Sequence, residues 1–197
     1  MNTPFGDFTN EATIIIDQFI SSQETKWGVQ SGIVLLLPHG QDGQGAEHSS
    51  CRIERFLQMI DSDPRDIPDF SIINDRCKMY NMQVCNPTSS ANYFHLLRRQ
   101  MRRSYRKPLI VPSPKKLLRY KGANSTLKEF ERDEFMKVRF EDNQAVLKNA
   151  SNVKKILACS GQVYFDLINK RDELKRNVYY TSLYNSNLKI GYSHHRM

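Results

Sequence analysis

No apolar run in this 197-residue chain approaches the ~20 residues that a bilayer-crossing helix requires; the longest is IVLLL, Ile33 to Leu37. A membrane-spanning helix is therefore not expected, and the protein reads as soluble. The first ten residues, MNTPFGDFTN, hold no apolar signal core and no arginine-rich amphipathic helix, and they carry Asp7 early. Neither a secretory nor an organellar import signal is visible. The four cysteines, Cys51, Cys77, Cys85 and Cys159, form no CxxC pair and lie in or near apolar segments. They read as reduced thiols of an intracellular or organellar protein. Several catalytic signatures are also missing: the glycines make neither G-x-G-x-x-G nor a P-loop, no G-x-S-x-G elbow surrounds a serine, and the histidines lack the close ligand pairs of zinc motifs.

What is present is globular composition, 39% hydrophobic and 25% charged, for one domain or one plus a fragment. The net charge of +8 is local. From Arg98 to Lys121 there are ten Lys or Arg and no acid, so the rest of the chain sums to −2. Such a window is either a polyanion-binding face or the solvated back of a helix and its flanking loops.

Ala12, Ile15, Ile16, Phe19 and Ile20 fall at helical spacing and predict a helix between Thr9 and Ser22 packed through that face. After Gly32, IVLLL suits a strand covered on both faces in a parallel sheet. Ile53, Phe56, Leu57 and Ile60 mark a second helix, and MQVC at 82–85 a short buried strand. A third helix is expected from about Ser89 to Arg103, with Tyr93, Leu96, Leu97 and Gln100 to Met101 inward, before Pro108 opens the strand LIV. The alternation of buried strand, loop and helix predicts an α/β fold with a parallel sheet and flanking helices. Residues 122–151 show no clear periodicity and read as a linker with at most a short element. KILACSG and the helix Gln162 to Leu174 then open a second domain, 152–177, and 178–197 reads as a disordered tail.

The chemically informative segment is the loop from Leu37 to Ser50, at the carboxyl end of a buried strand, where open α/β sheets place ligand sites. It gathers Gly40, Gly43 and Gly45 with His39, His48, Glu47, Ser49 and Ser50. Glycines admit close backbone approach to an anionic ligand, and histidine transfers protons near neutral pH. A plain glycine turn with a capping histidine would have the same composition.

The string LLLPHGQDGQGAEHSSCRIERFLQM resembles the E1 component of the 2-oxoglutarate dehydrogenase family, thiamine diphosphate enzymes with a 2-oxoadipate branch. The resemblance extends through FGDFTNEATIIIDQFISSQETKW upstream, NMQVCNPTSSANYFHLLRRQMRRSYRKPLIVPSPKKLLR downstream, and CSGQVYFDL, covering about residues 5 to 175. It implies a partial transketolase-like pyrimidine-binding domain over residues 1–121, followed by the start of the C-terminal domain. It further implies thiamine diphosphate held between two subunits of a homodimer, with E2 lipoyl acyltransferase and E3 as partners. Phe5 in FGDF matches the aromatic that stacks on the aminopyrimidine. His48 in EHSS matches the active-site histidine that faces the reacting substrate, and His39 in the PHG turn shapes the same pocket. Stacking suits a flat heterocycle, and an imidazole suits a 2-oxo acid losing carbon dioxide.

Under this resemblance the arginine-rich window becomes one helix and strand entry of the domain, not a nucleic-acid-binding face. The cofactor-activating glutamate and the Gly-Asp-Gly motif for Mg2+ and diphosphate belong upstream in the family; no Gly-Asp-Gly occurs here, and Asn2 and Thr3 stand where a Glu is expected. Beyond Lys175, VYYTSLYNSNLK shares nothing with the family pattern. The chain is thus expected to be an inactive fragment of an enzyme of the mitochondrial matrix or a bacterial cytoplasm, decarboxylating 2-oxoglutarate or 2-oxoadipate. A fragment serving only as an interaction surface is the alternative.

Overall fold

In the computed structural model, which describes residues 7–41, 45–61, 80–131, 134–141, 143–148, 150–153, 155–176 and 178–183, two three-stranded sheets carry the architecture. The apolar run becomes β1 (Val34–Pro38), which pairs in parallel with the central strand β3 (Leu109–Ser113), from Val34 opposite Leu109 to Pro38 opposite Ser113. β2 (Gln83–Val84) pairs in parallel on the other side of β3, giving the order β1-β3-β2.

The run is continuous because both faces of the sheet are covered. On one face Leu35, Leu37, Val84 and Ile110 pack with Ile16, Ile20, Cys51, Phe56 and Met82. On the other, Val34, Leu36, Cys85, Leu109 and Val111 pack with Tyr93, Leu96, Leu97 and Phe135.

The first face is covered by α1 (Thr13–Ile15), which widens into a π-helical turn, Ile16–Ile20, and by α3 (Ile53–Met59); α2 (Gln23–Trp27) lies between them in the chain and ends on Gly28 in the left-handed region. The wider turn accounts for a departure from the expected face. Ile16 and Ile20 are buried, whereas Ile15 and Phe19 are exposed, and Phe19 stacks on Trp27 at 5.6 Å. Arg55 of α3 pairs with Asp17, but the side chains are 43% and 40% exposed, so this bond adds at most about 1 kcal/mol beside the burial of Phe56, worth about 2–3 kcal/mol.

The second face is covered by α4 (Ser90–Arg102), capped by Ser89, whose Oγ accepts from the Asn92 N–H. Tyr93, Leu96 and Leu97 pack inward as their spacing predicts, but Met101 is exposed. Gln100 takes the inward place alone, because its Nε2 donates to the carbonyls of Gly32 (3.2 Å) and Lys107 (2.7 Å), tying the end of α4 to the residues that precede β1 and β3.

Residues 122–151 are more structured than a linker: α5 (Leu127–Phe130) opens on a Thr126–Glu129 capping box, and β4 (Val138–Arg139) and α6 (Gln144–Lys148) follow. The expected tail is also corrected at its start. β6 (Tyr179–Leu183) is the central strand of the second sheet, antiparallel to β4 and parallel to β5 (Ile156–Cys159), and Tyr180 is buried with Tyr164 and Phe165 of α7 (Val163–Glu173). Residues 184–197 lie outside the described residues. Cys51, Cys85 and Cys159 are free thiols, and Cys77 lies outside the described residues.

Candidate functional site at the carboxyl edge of the first sheet

β1 ends on Pro38 and the chain turns over the carboxyl edge of the sheet. Two backbone bonds shape the turn. The His39 N–H donates to Ser113 O (3.1 Å), holding the loop on the end of β3, and the Gly40 N–H donates to Ser49 O (2.9 Å), closing it. Gly40 is needed here: a Cβ at this position would lie 2.9 Å from Pro114 Cβ, and its φ of +155° is one that L side chains rarely adopt. Asp42, Gly43 and Gln44 lie outside the described residues. From Gly45 the chain makes a short 3-10 turn, Ala46–His48, with the His48 N–H donating to Gly45 O at 3.0 Å.

This turn brings His48 to the segment that leaves β3. Its Nδ1 lies 2.8 Å from Lys115 Nζ, and its Nε2 is 3.7 Å from Glu47 Oε1. The His48 side chain is 18% exposed.

His39 is placed differently. Its Nδ1 accepts the Cys51 N–H at 3.3 Å, so the ring links the two ends of the loop. Burial lowers its pKa below the ordinary histidine value, partly opposed by Glu54. The thiol of Cys51, fully buried, is pushed up to about 12 mainly by that burial, despite a backbone hydrogen bond that lowers it, with Glu54 adding to the rise. It is an inert core group.

A cleft of about 540 Å3 opens at the same edge, between the carboxyl ends of β1 and β3 and the first turn of α4. Its walls are mainly apolar, from Leu36, Val111, Leu117 and Tyr93, with Ser89 and Lys115 among the polar groups. Lys115 lines this cleft and also bonds His48, whereas neither His48 nor His39 is among its described lining residues. Phe5 lies outside the described residues. Among the described residues no group of three or more His, Cys, Asp or Glu gathers, and no helix is long and apolar enough to cross a membrane.

Lys115 is the site residue that sequence reasoning missed. It is hidden inside the basic window, and only the parallel pairing of β1 with β3 shows that the residues following both strands meet. The other members of that window scatter. Arg99 lies over the Phe135 ring at 4.2 Å and donates to Gln83 Oε1, and Lys107 is buried against Glu24.

Comparison with known proteins agrees with the α/β fold. Residues 124–183 match the 2-oxoglutarate dehydrogenase C-terminal family, extending into the stretch after Lys175 for which no resemblance was expected. The chain is 51% identical over 169 residues to "2-oxoglutarate dehydrogenase, mitochondrial" of Dictyostelium discoideum, covering 85% of this chain and 17% of that protein. It is likewise 51% identical over 173 residues to the "2-oxoglutarate dehydrogenase E1 component" of Cupriavidus necator, 88% of this chain and 16% of the relative. The figure is 51% again over 170 residues for the "2-oxoadipate dehydrogenase complex component E1" of Mus musculus, at 86% and 17%. These matches bear out the resemblance carried by the motifs, and the chain spans about one sixth of the length of these curated relatives. With residues 1–121 matching the transketolase pyrimidine-binding domain, and a parallel sheet whose carboxyl edge carries the histidine loop, the chain belongs to the transketolase pyrimidine-binding domain family.

Proposed function

We propose that this chain supplies the pyrimidine-side part of the active site of an E1 component, which oxidatively decarboxylates 2-oxoglutarate or 2-oxoadipate with thiamine diphosphate and passes the acyl group to lipoyl on an E2 partner. The observation that carries this reading is the half-buried His48, fixed beside a lysine at the carboxyl edge of the parallel sheet, in a chain about half identical to such components over most of its length.

Thiamine diphosphate, when bound, supplies the electron sink that lets a 2-oxo acid lose carbon dioxide. Its aminopyrimidine is the part this domain meets, with Phe5 as the stacking residue; diphosphate and Mg2+ are held by another domain of the enzyme. His48 holds or moves a proton at the reacting substrate, and His39 fixes the loop that carries it. Residues 1–121 form the pyrimidine-binding domain and 124–183 belong to the C-terminal region. The assembled enzyme is a homodimer working with E2 and E3, in the mitochondrial matrix or a bacterial cytoplasm.

The test is a chimera in which this chain replaces the corresponding segment of the Cupriavidus necator component. Turnover of 2-oxoglutarate or 2-oxoadipate is expected, and His48→Gln lowers kcat by about 100-fold, the low end of general acid–base contributions. The chain alone, given thiamine diphosphate and Mg2+, is expected to be inactive. A folded chimera without turnover of either acid overturns the reading.

A further inference from the structure

We infer that Lys115 is a positioning residue for His48, setting which ring nitrogen carries the proton. Its functional meaning rests on the reading of His48 given above, but its geometry does not. Lys115 Nζ lies 2.8 Å from His48 Nδ1. An ammonium group has three donors and no acceptor, so Nδ1 must accept, and the single proton of the neutral imidazole resides on Nε2. The carboxylate of Glu47, 3.7 Å from Nε2, lies too far for a hydrogen bond but on the side where a proton is electrostatically favoured.

The approach of the two side chains is built into the backbone. Ser113, two residues before Lys115, accepts the His39 N–H, and Ser49, next to His48, accepts the Gly40 N–H. Pro114 fits against Gly40 so closely that a Cβ there would collide with it. Pro114 then starts the 3-10 turn Lys115–Leu118, which aims the lysine back over the loop. Loop and turn are thus held together independently of the Lys115–His48 bond.

Lys115 is also the one charged side chain among the described residues lining the 540 Å3 cleft. It therefore couples the cleft to the histidine. A group that entered the cleft and drew the ammonium away would remove this donor from Nδ1, so the proton a substrate meets at Nε2 depends on Lys115 staying in place.

The test is long-range 1H–15N correlation on the chain labelled in its imidazoles, at a pH well above the ordinary histidine value so that neutral rings are observed. The His48 signals are assigned by their loss in His48→Gln. The wild-type chain is expected to show an acceptor-type Nδ1 and a protonated Nε2. Lys115→Arg, which keeps the donor, retains this pattern. Lys115→Glu replaces the donor by an acceptor and moves the proton to Nδ1, making the Nε2–H form the minor one. A wild-type ring protonated on Nδ1, or a pattern that Lys115→Glu leaves unchanged, overturns the inference. If near-ultraviolet circular dichroism shows Lys115→Glu unfolded, the wild-type and Lys115→Arg spectra decide it. None of these readouts uses turnover. A chimera without activity would sink the enzymatic reading and leave the tautomer standing, whereas an active chimera with the wrong tautomer would sink only the role of Lys115.

Discussion

Arg171 Nη1 on α7 donates to Glu141 Oε2 at 2.6 Å, and the two side chains are only 2% and 1% exposed. The guanidinium also lies over the Tyr180 ring at 5.5 Å and donates through Nε to Asp172 at 2.9 Å. Burial opposes its charge, but the bonds to Asp172 and Glu141 outweigh that, and its pKa stands above the ordinary arginine value. The pair joins the residue just past β4 to α7 and β6, so it organises the second sheet.

Removing Arg171 would strand the Glu141 carboxylate in the interior, whereas neutralising Glu141 still leaves the buried guanidinium its bond to Asp172, whose side chain is 54% exposed. Arg171→Met is expected to destabilise the chain by about 3–5 kcal/mol, Glu141→Gln by less because Asp172 still pairs with Arg171, and the double variant by less than the sum, because the Glu141–Arg171 interaction is lost in both single variants. Urea unfolding followed by tryptophan fluorescence and circular dichroism measures this. Additive losses would show that the pair is not coupled.

Gln100 makes a similar test on the first sheet. Its amide satisfies the carbonyls of Gly32 and Lys107 and is itself buried. Gln100→Ala leaves both carbonyls short of a donor and is expected to cost about 1–3 kcal/mol. Gln100→Glu should cost more, since a carboxylate puts an acceptor against two acceptors. An unchanged unfolding midpoint in both variants would show that water replaces the amide there.

The first sheet was legible in the sequence because each of its faces has a periodic cover. IVLLL is apolar throughout since Leu35 and Leu37 meet Phe56 while Val34 and Leu36 meet the α4 side. β6 was not legible for the opposite reason. Its strand reads Tyr-Tyr-Thr-Ser-Leu, so no run of aliphatic residues marks it; its β-favouring tyrosines and threonine were the available signal. In the site, the loop of His39 and His48 could be found from its glycines and its position after a strand. Lys115 could not, because its role depends on β1 and β3 being neighbours although some 70 residues separate them in the chain.

Alkaline stability tests the burial of Cys51. A folded-state pKa of about 12 against an ordinary value of 9.0 means that the folded chain favours the thiol and the unfolded chain gives up its proton first. The sign follows: this contribution is intact below pH 9.0 and is lost as the pH rises toward 12. Cys51→Ala should flatten the alkaline limb of a stability–pH curve, and native Cys51 should resist iodoacetamide while the unfolded chain reacts. Rapid alkylation of Cys51 in the folded chain would contradict its sealed environment.

His39 predicts the acid limb. Its folded-state pKa is lowered, chiefly by burial and against the pull of Glu54, so the unfolded chain binds a proton more readily than the folded one. The contribution is therefore present above the ordinary value of 6.5 and is lost as the pH falls below it. The geometry supplies a second reason: a proton on Nδ1 would turn the acceptor of the Cys51 N–H into a donor facing a donor. Thermal unfolding should show a midpoint that drops between about pH 7 and about pH 5, where an ordinary histidine becomes charged. In His39→Asn the side-chain carbonyl can accept the same N–H without titrating, so the drop should shrink while the neutral-pH midpoint changes little. An acid limb of equal slope in the variant would assign the loss to other groups and remove His39 from the account.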